Sequence, residues 1–144
     1  MIDGNIYTAY SIIEEAFKGK TDLGGFPYVE HLERVSQNFH DDLKIVALLH
    51  DLLEDTDWTE QKLSYYFRKT IVDKVVILTR VQGQSYEDYI QRVSKNQDAI
   101  KVKIADIEDN MDLTRIPYQL SDRDIERFKK YHKTWLQLVA LQKF

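Results

Sequence analysis

The sequence predicts an all-α fold, a single compact domain of seven or eight helices. Three observations lead there. Apolar residues recur at threes and fours along most of the chain. Only five glycines and two prolines punctuate 144 residues. The last long segment opens on Ser121 and Asp124, the spacing of a capping box. The elements follow in order. Ile6, Ala9, Ile12, Ile13 and Ala16 mark a first helix. Val29, Leu32, Val35 and Phe39 mark a second, Leu43 to Leu53 a third and Leu63 to Phe67 a fourth. Val72 to Thr79 is β-branched enough for a strand, but its length and acidic start at Asp73 favour helix. Tyr86 to Val93 and Ile100 to Met111 continue the pattern. Ile125, Phe128, His132, Trp135 and Val139 complete it. Breaks fall at Gly19 to Pro27, at Gln82 to Ser85 around Gly83, and at Ile116 to Leu120. No repeat, low-complexity tract or linker divides the chain, so residues 1–144 are expected to form one domain.

Composition narrows the function classes. At this length about two thirds of the unfolded chain's surface can be buried without a disulfide. The chain has no cysteine. Thiol catalysis, Cys-ligated zinc and iron–sulfur clusters are thereby excluded. It is 43% hydrophobic and 31% charged, with a net charge of −4. That charge repels DNA and RNA. Asp3 breaks any signal-peptide start, and no apolar run approaches the ~18 residues of a membrane span. The expectation is a soluble cytoplasmic protein without nucleic-acid or membrane partners. Its oligomeric state stays open.

The third helix concentrates the chemistry. At about 100° per residue, Ile45, Val46, Leu48, Leu49, Leu52 and Leu53 cover more than half its circumference. His50, Asp51, Glu54 and Asp55 fill the remaining arc of about 140°. Leu43 and Ala47 occupy that same arc earlier, so most of the helix is apolar all round and should be buried. Carboxylates grouped at the end of a buried helix need a cation or water to meet them. The other reading is a solvated helix end.

Lys103, Asp106 and Asn110 share a stripe at i, i+3 and i+7, flanked by apolar residues. Lys101, Glu108 and Asp112 lie away from it, and Asp109 sits at its edge. Taken alone, the stripe reads equally as an Asp–Lys pair with an incidental asparagine. His31 follows Pro27-Tyr28 among apolar residues, where a lone histidine is commonly structural. His40 and His132 lie apart in sequence from these two carboxylate-bearing segments.

Together these residues resemble a known pattern. His31, His50-Asp51 and Asp106 are similar to the H…HD…D motif of the HD-domain metal phosphohydrolases. Gly25-Phe26-Pro27-Tyr28-Val29-Glu30-His31 resembles the G-x-P-Y-x-x-H segment of the RelA/SpoT hydrolase branch. Ala47 to Thr56 resembles its A-L-L-H-D-x-x-E-D-T, Leu78-Thr79-Arg80 its L-T-K. Val102 to Asp106 with Asn110-Met111 resembles its I-K-L-A-D-x-x-x-N-M. The likeness runs from about Tyr7 to Arg115, and the tail is similar to that of small stand-alone members.

The resemblance implies an HD-type helical fold holding one divalent metal, often Mn²⁺. His31, His50, Asp51 and Asp106 would be its ligands. Such a mixed nitrogen and oxygen set also suits Fe²⁺ or Zn²⁺ better than Mg²⁺. Glu54 and Asp55 would orient or deprotonate the attacking water. Asn110 would place the substrate, and Lys103 would lie near its phosphates. Lys18, Lys20 and Arg115 are further cations, and Tyr28 and Tyr118 are aromatic surfaces for a base. The implied reaction is hydrolysis of a phosphate ester in a small phosphorylated molecule. A nucleotide or a guanosine polyphosphate losing its 3′-pyrophosphate is the expected substrate. The alternative is a metal-organised nucleotide-binding module without turnover. A nucleotidyltransferase domain does not fit this length. The chain also departs from the branch. Where A-H-x-G-Q-x-R is usual it reads Ala16-Phe17-Lys18-Gly19-Lys20-Thr21-Asp22, so the base-stacking arginine is replaced by Asp22. That carboxylate is expected to face solvent, and base discrimination to be weak. The A-D-R-x-H-N-M run reads Ala105-Asp106-Ile107-Glu108-Asp109-Asn110-Met111.

Overall fold

The structure, a computed structural model, describes residues 4–144; Asp3 lies outside them. Among the described residues nine helical segments follow one another: α1 (Ile6–Ala16), α2 (Tyr28–Ser36), α3 (Asp41–Leu49), α4 (Leu52–Asp55), α5 (Glu60–Tyr66), α6 (Lys69–Ile77), α7 (Tyr86–Val93), α8 (Gln97–Asn110) and α9 (Asp122–Leu141). A short 3-10 turn covers Leu113–Arg115. The single turn of α4 carries α3 onward past a break at His50-Asp51. Counted as one interrupted helix, α3 and α4 leave eight helices, within the seven or eight that the periodicity predicts. Among the described residues there is no strand, only one isolated bridge between Thr21 and Pro27.

Local chemistry explains the boundaries. Asn5 caps α1 by accepting the Tyr7 and Thr8 N–H groups. Ser85 caps α7, Asn96 caps α8, and Ser121 with Asp124 forms the expected capping box of α9. Val72 to Ile77 is helical. Its β-branched side chains stay in a helix because Ile71, Val72 and Val75 bury one face against the core; packing overrides the weak propensity.

The centre of the molecule is α3, which packs against α1, α2, α6 and α8. Ile45, Val46, Ala47, Leu48 and Leu49 are all buried, as expected of a helix that is apolar all round. The chemistry-bearing residues therefore leave the middle of the core at the C-terminal end of α3. Among the described residues no helix is long and apolar enough to cross a membrane.

Candidate metal centre

The helix breaks where the chemistry begins. Consecutive residues of a regular helix point about 100° apart, so His50 and Asp51 could not aim at one point within it. At the break, the His50 N–H reaches back to the Ala47 carbonyl at 3.5 Å. That same carbonyl accepts the His50 Nδ1–H at 2.6 Å. Helical hydrogen bonding resumes when the Asp55 N–H meets the Asp51 carbonyl at 3.0 Å. This corrects the continuous Leu43–Leu53 helix. The result is that His50 Nε2 and Asp51 Oδ2 lie 3.2 Å apart.

Two other helices complete the cluster. His31 on α2 and Asp106 on α8 are both buried. Asp106 Oδ1 is 3.0 Å from His31 Nε2 and 3.2 Å from His50 Nε2. His31 Nε2 is 3.8 Å from Asp51 Oδ2. Ligand atoms from His31, His50, Asp51 and Asp106 all lie within 4.8 Å of one another. His40 and His132 stand outside this group.

Hydrogen bonds around the cluster decide what it can bind. The His50 Nδ1 partner is a carbonyl, and the His31 Nδ1 partner is Asp109 Oδ2 at 2.6 Å. Both partners only accept, so each ring carries a proton on Nδ1 and can present an Nε2 lone pair inward. The carboxylates are held as firmly. Tyr28 donates its hydroxyl to Asp51 Oδ2 at 2.6 Å, and its ring stacks on Phe17 at 5.2 Å. Lys103 donates to Asp106 Oδ2 at 2.8 Å, and the Asn110 amide donates to Asp106 Oδ1 at 3.2 Å.

The electrostatics call for positive charge at the convergence point. Burial pushes the His31 imidazole down, but hydrogen bonds to Asp106 and Asp109 outweigh it and lift it to about 9. Burial opposes charge on His50 too, yet Asp51 and Asp106 raise it well above the ordinary histidine value. Asp106 is held well below the usual carboxylate range; Lys103, His50 and His31 overcome its burial. Two buried imidazoles drawn towards the cationic form mark a field that a divalent ion satisfies. Two Nε2 atoms and two carboxylates therefore fit a divalent metal ion, and their mixed donor set disfavours an all-oxygen ion.

Around this centre the other expected residues separate. Asp55 is the better poised carboxylate: burial, then Asp51 and Glu54, push it up to about 6. Glu54 instead accepts the Arg80 backbone N–H at 2.8 Å. Tyr89 and Arg92 bind the Leu78 and Thr79 carbonyls beside it. Lys20 is tied to the Asp55 carbonyl, whereas Lys18 is simply exposed. Lys103 is largely buried on its apolar-flanked stripe, and its ammonium is engaged by Asp106. Tyr28 spends its hydroxyl on Asp51, which makes it a support for a ligand. Tyr118 is half-exposed in the turn after Arg115.

Asp22 does not simply face solvent. Its Oδ1 accepts the Gly24 and Phe26 N–H groups, each at 2.9 Å. The carboxylate thus closes the turn before α2. Gly24 lies so close to the Arg115 carbonyl that a Cβ there would sit 2.5 Å from it. The following Gly25 has φ +84°, a conformation glycine adopts freely.

Two functional positions escaped the sequence reading. Asp109 supports His31 and is gripped by Arg34, Nε to Oδ1 at 2.8 Å and an η nitrogen to Oδ2 at 3.1 Å. Arg115 adds a third contact, 3.2 Å from Asp109 Oδ1. Hydrogen bonds from His31 and Arg34 overcome its burial and bring Asp109 down to about 2. The signal was present: Arg34 follows His31 and Asp109 follows Asp106, each by three residues on its helix.

No family model matches the chain. It is 26% identical over 119 residues to the bifunctional (p)ppGpp synthase/hydrolase SpoT of Escherichia coli, covering 72% of this chain and 17% of that protein. A guanosine-3′,5′-bis(diphosphate) 3′-pyrophosphohydrolase of Haemophilus influenzae is 29% identical over 116 residues, covering 69% of this chain and 17% of its own length. The chain thus spans about a sixth of these relatives. Among solved structures, a metazoan ortholog of SpoT that hydrolyses ppGpp superposes with a TM-score of 0.74 at 19% identity, covering 92% of this chain and 84% of that one. A Listeria monocytogenes protein superposes with a TM-score of 0.51 at 21% identity, covering 75% and 92%. In sequence the chain resembles the hydrolase part of these SpoT-type proteins, and in fold it matches the all-helical metazoan SpoT ortholog.

Proposed function

We propose that residues 1–144 act as one metal-dependent phosphohydrolase domain in the cytoplasm. Its substrate is a nucleotide carrying a phosphate ester, with the 3′-pyrophosphate of a guanosine polyphosphate the favoured case. The observation that carries this reading is the pair of imidazoles whose Nδ1 protons are fixed outward, beside Asp51 and Asp106. His31, His50, Asp51 and Asp106 would hold the metal. Mn²⁺ is the favoured ion for two nitrogens and two carboxylates. A bound divalent ion supplies an acidified water and a counter-charge for phosphoryl oxygens.

The chain's own residues supply the rest. Asp55, raised to about 6, takes the proton of the attacking water near neutral pH. Glu54, fixed by the Arg80 N–H, orients that water. Lys103 keeps Asp106 ionised, and its charge adds to the field on the phosphates. Asn110 positions substrate beside Asp106. Lys18, Lys20 and Arg115 are the flanking cations, and Tyr28 narrows the wall next to Asp51. The relatives named for guanosine-3′,5′-bis(diphosphate) support this substrate class. Since Asp22 is committed to its own turn, base selection has to come from elsewhere and is weak.

The test is a hydrolysis screen with added Mn²⁺ over guanosine tetraphosphate, its adenine analogue and simple nucleotides, with product identification. Release of pyrophosphate from guanosine tetraphosphate, with modest preference over the adenine compound, is expected. No turnover of any phosphate ester by metal-loaded protein would refute the proposal.

A further inference from the structure

A second charged cluster lies next to the metal centre. Arg80 follows α6, Lys103 stands on α8, and Arg127 and Lys130 stand on α9. Arg80 and Lys130 lie over the Tyr86 ring at the start of α7, and Lys103 and Arg127 are near enough to act on the Lys130 charge. Lys130 Nζ is 4.2 Å from the Tyr86 ring centroid, and the Arg80 guanidinium carbon is 5.8 Å from it. The Tyr86 and Tyr89 centroids are 6.0 Å apart. Lys103 Nζ is 5.4 Å from the Tyr89 ring while it bonds Asp106. The cluster therefore begins where the metal centre ends.

Two features are costly to the protein alone. Like charges are held together: partial burial of its inner side pushes the Lys130 ammonium down, and Arg80, Lys103 and Arg127 push it further against the opposing Glu87. Asp124 partners Arg127 and Asp106 partners Lys103. Among the described residues, neither Arg80 nor Lys130 has an ion-pair partner. In addition, the Tyr86 hydroxyl is buried and, among the described residues, lacks a hydrogen-bond partner, an arrangement rarely left unanswered in native proteins.

An anion would answer both, by offsetting the excess cations and accepting the hydroxyl proton. We propose that Tyr86, Arg80 and Lys130, with Lys103 and Arg127 at their edges, form a subsite for a second phosphate group of the substrate, adjoining the phosphate that meets the metal. The proposal rests on the phosphohydrolase reading for the identity of its ligand. It makes α9, which follows the motifs of the metal centre in sequence, part of substrate selection: molecules with two linked phosphates gain over those with one.

The experiment titrates inorganic pyrophosphate and orthophosphate into wild-type protein and K130Q at fixed Mn²⁺. Lys130 is exposed on α9, so K130Q should fold normally. Y86F, which keeps the ring, is the second variant. K130Q should weaken pyrophosphate binding about tenfold, as loss of one charge-assisted contact does. Orthophosphate binding should stay within about twofold, because that anion needs only the metal centre. Y86F should show the same selectivity with a smaller loss. Unchanged pyrophosphate binding in both variants overturns the subsite and leaves the hydrolase reading standing. Equal losses for the two anions, or no pyrophosphate binding by wild type, also overturn it. Selective loss without turnover in the hydrolysis screen keeps the subsite and removes the hydrolase.

Discussion

His31 and His50 present the same atom to the same point, yet they are held there by different means. His50 is oriented within its own turn, through a backbone carbonyl three residues earlier. His31 is oriented across the molecule, by Asp109 on α8, itself gripped by Arg34 and Arg115. The first arrangement needs only local chain geometry. The second depends on three charged side chains from α2, α8 and the turn after it. The two halves should therefore fail differently when perturbed.

The largest effect is expected where both halves meet. Asp106→Ala removes the carboxylate that faces both rings and leaves the Lys103 ammonium buried without its partner. Metal binding and turnover should vanish, and chemical denaturation should show a loss of about 3–5 kcal/mol. Next come the two carboxylates proposed to handle the attacking water. Asp55→Asn should lower the rate about 10²–10⁴-fold while metal content stays near normal. Glu54→Gln should lose less, because an amide oxygen can still accept the Arg80 N–H. Equal losses would return the two residues to a single unit. The pH profile sharpens the assignment. Asp55 is useful as a base only when ionised. A bound cation draws its pKa from about 6 towards the ordinary value of about 4. The acidic limb of the rate should inflect between those values in wild type and disappear in Asp55→Asn.

Asp109→Asn addresses the comparison itself. It keeps the shape but weakens the hold on His31, so metal affinity should fall about 10–100-fold. Asp109→Ala adds an unpaired Arg34 and should also cost stability. Wild-type metal affinity in both would mean that His31 is positioned by packing alone. The smallest effect belongs to Asp22. Asp22→Asn retains an oxygen for the Gly24 and Phe26 N–H groups, so its melting temperature should stay within a few degrees of wild type. Asp22→Arg removes that acceptor and should loosen the turn, with no gain in base selectivity.

Legibility in the sequence followed the same division. Helix number, the capping box at Ser121 and Asp124, and the buried character of α3 were readable because they depend on near neighbours. The four residues proposed to hold the metal were visible through spacing and resemblance. The break at His50-Asp51 was not, because every residue there is compatible with a helix and the inward turn is set by partners on α2 and α8. Asp109 looked like the edge of a stripe until α2 brought Arg34 to it. Asp22 carried a readable clue, an acidic residue two positions before glycine in a turn, but the expectation of a solvent-facing loop obscured it.

The central claim is that one divalent ion binds where the two imidazoles converge. Calorimetric titration of metal-stripped protein with Mn²⁺, paired with His50→Ala and Asp109→Asn, tests it most directly. The account predicts one ion per chain for wild type, none for His50→Ala, and one weaker ion for Asp109→Asn. Wild-type protein that takes up no metal, or His50→Ala that binds it as tightly as wild type, would contradict it.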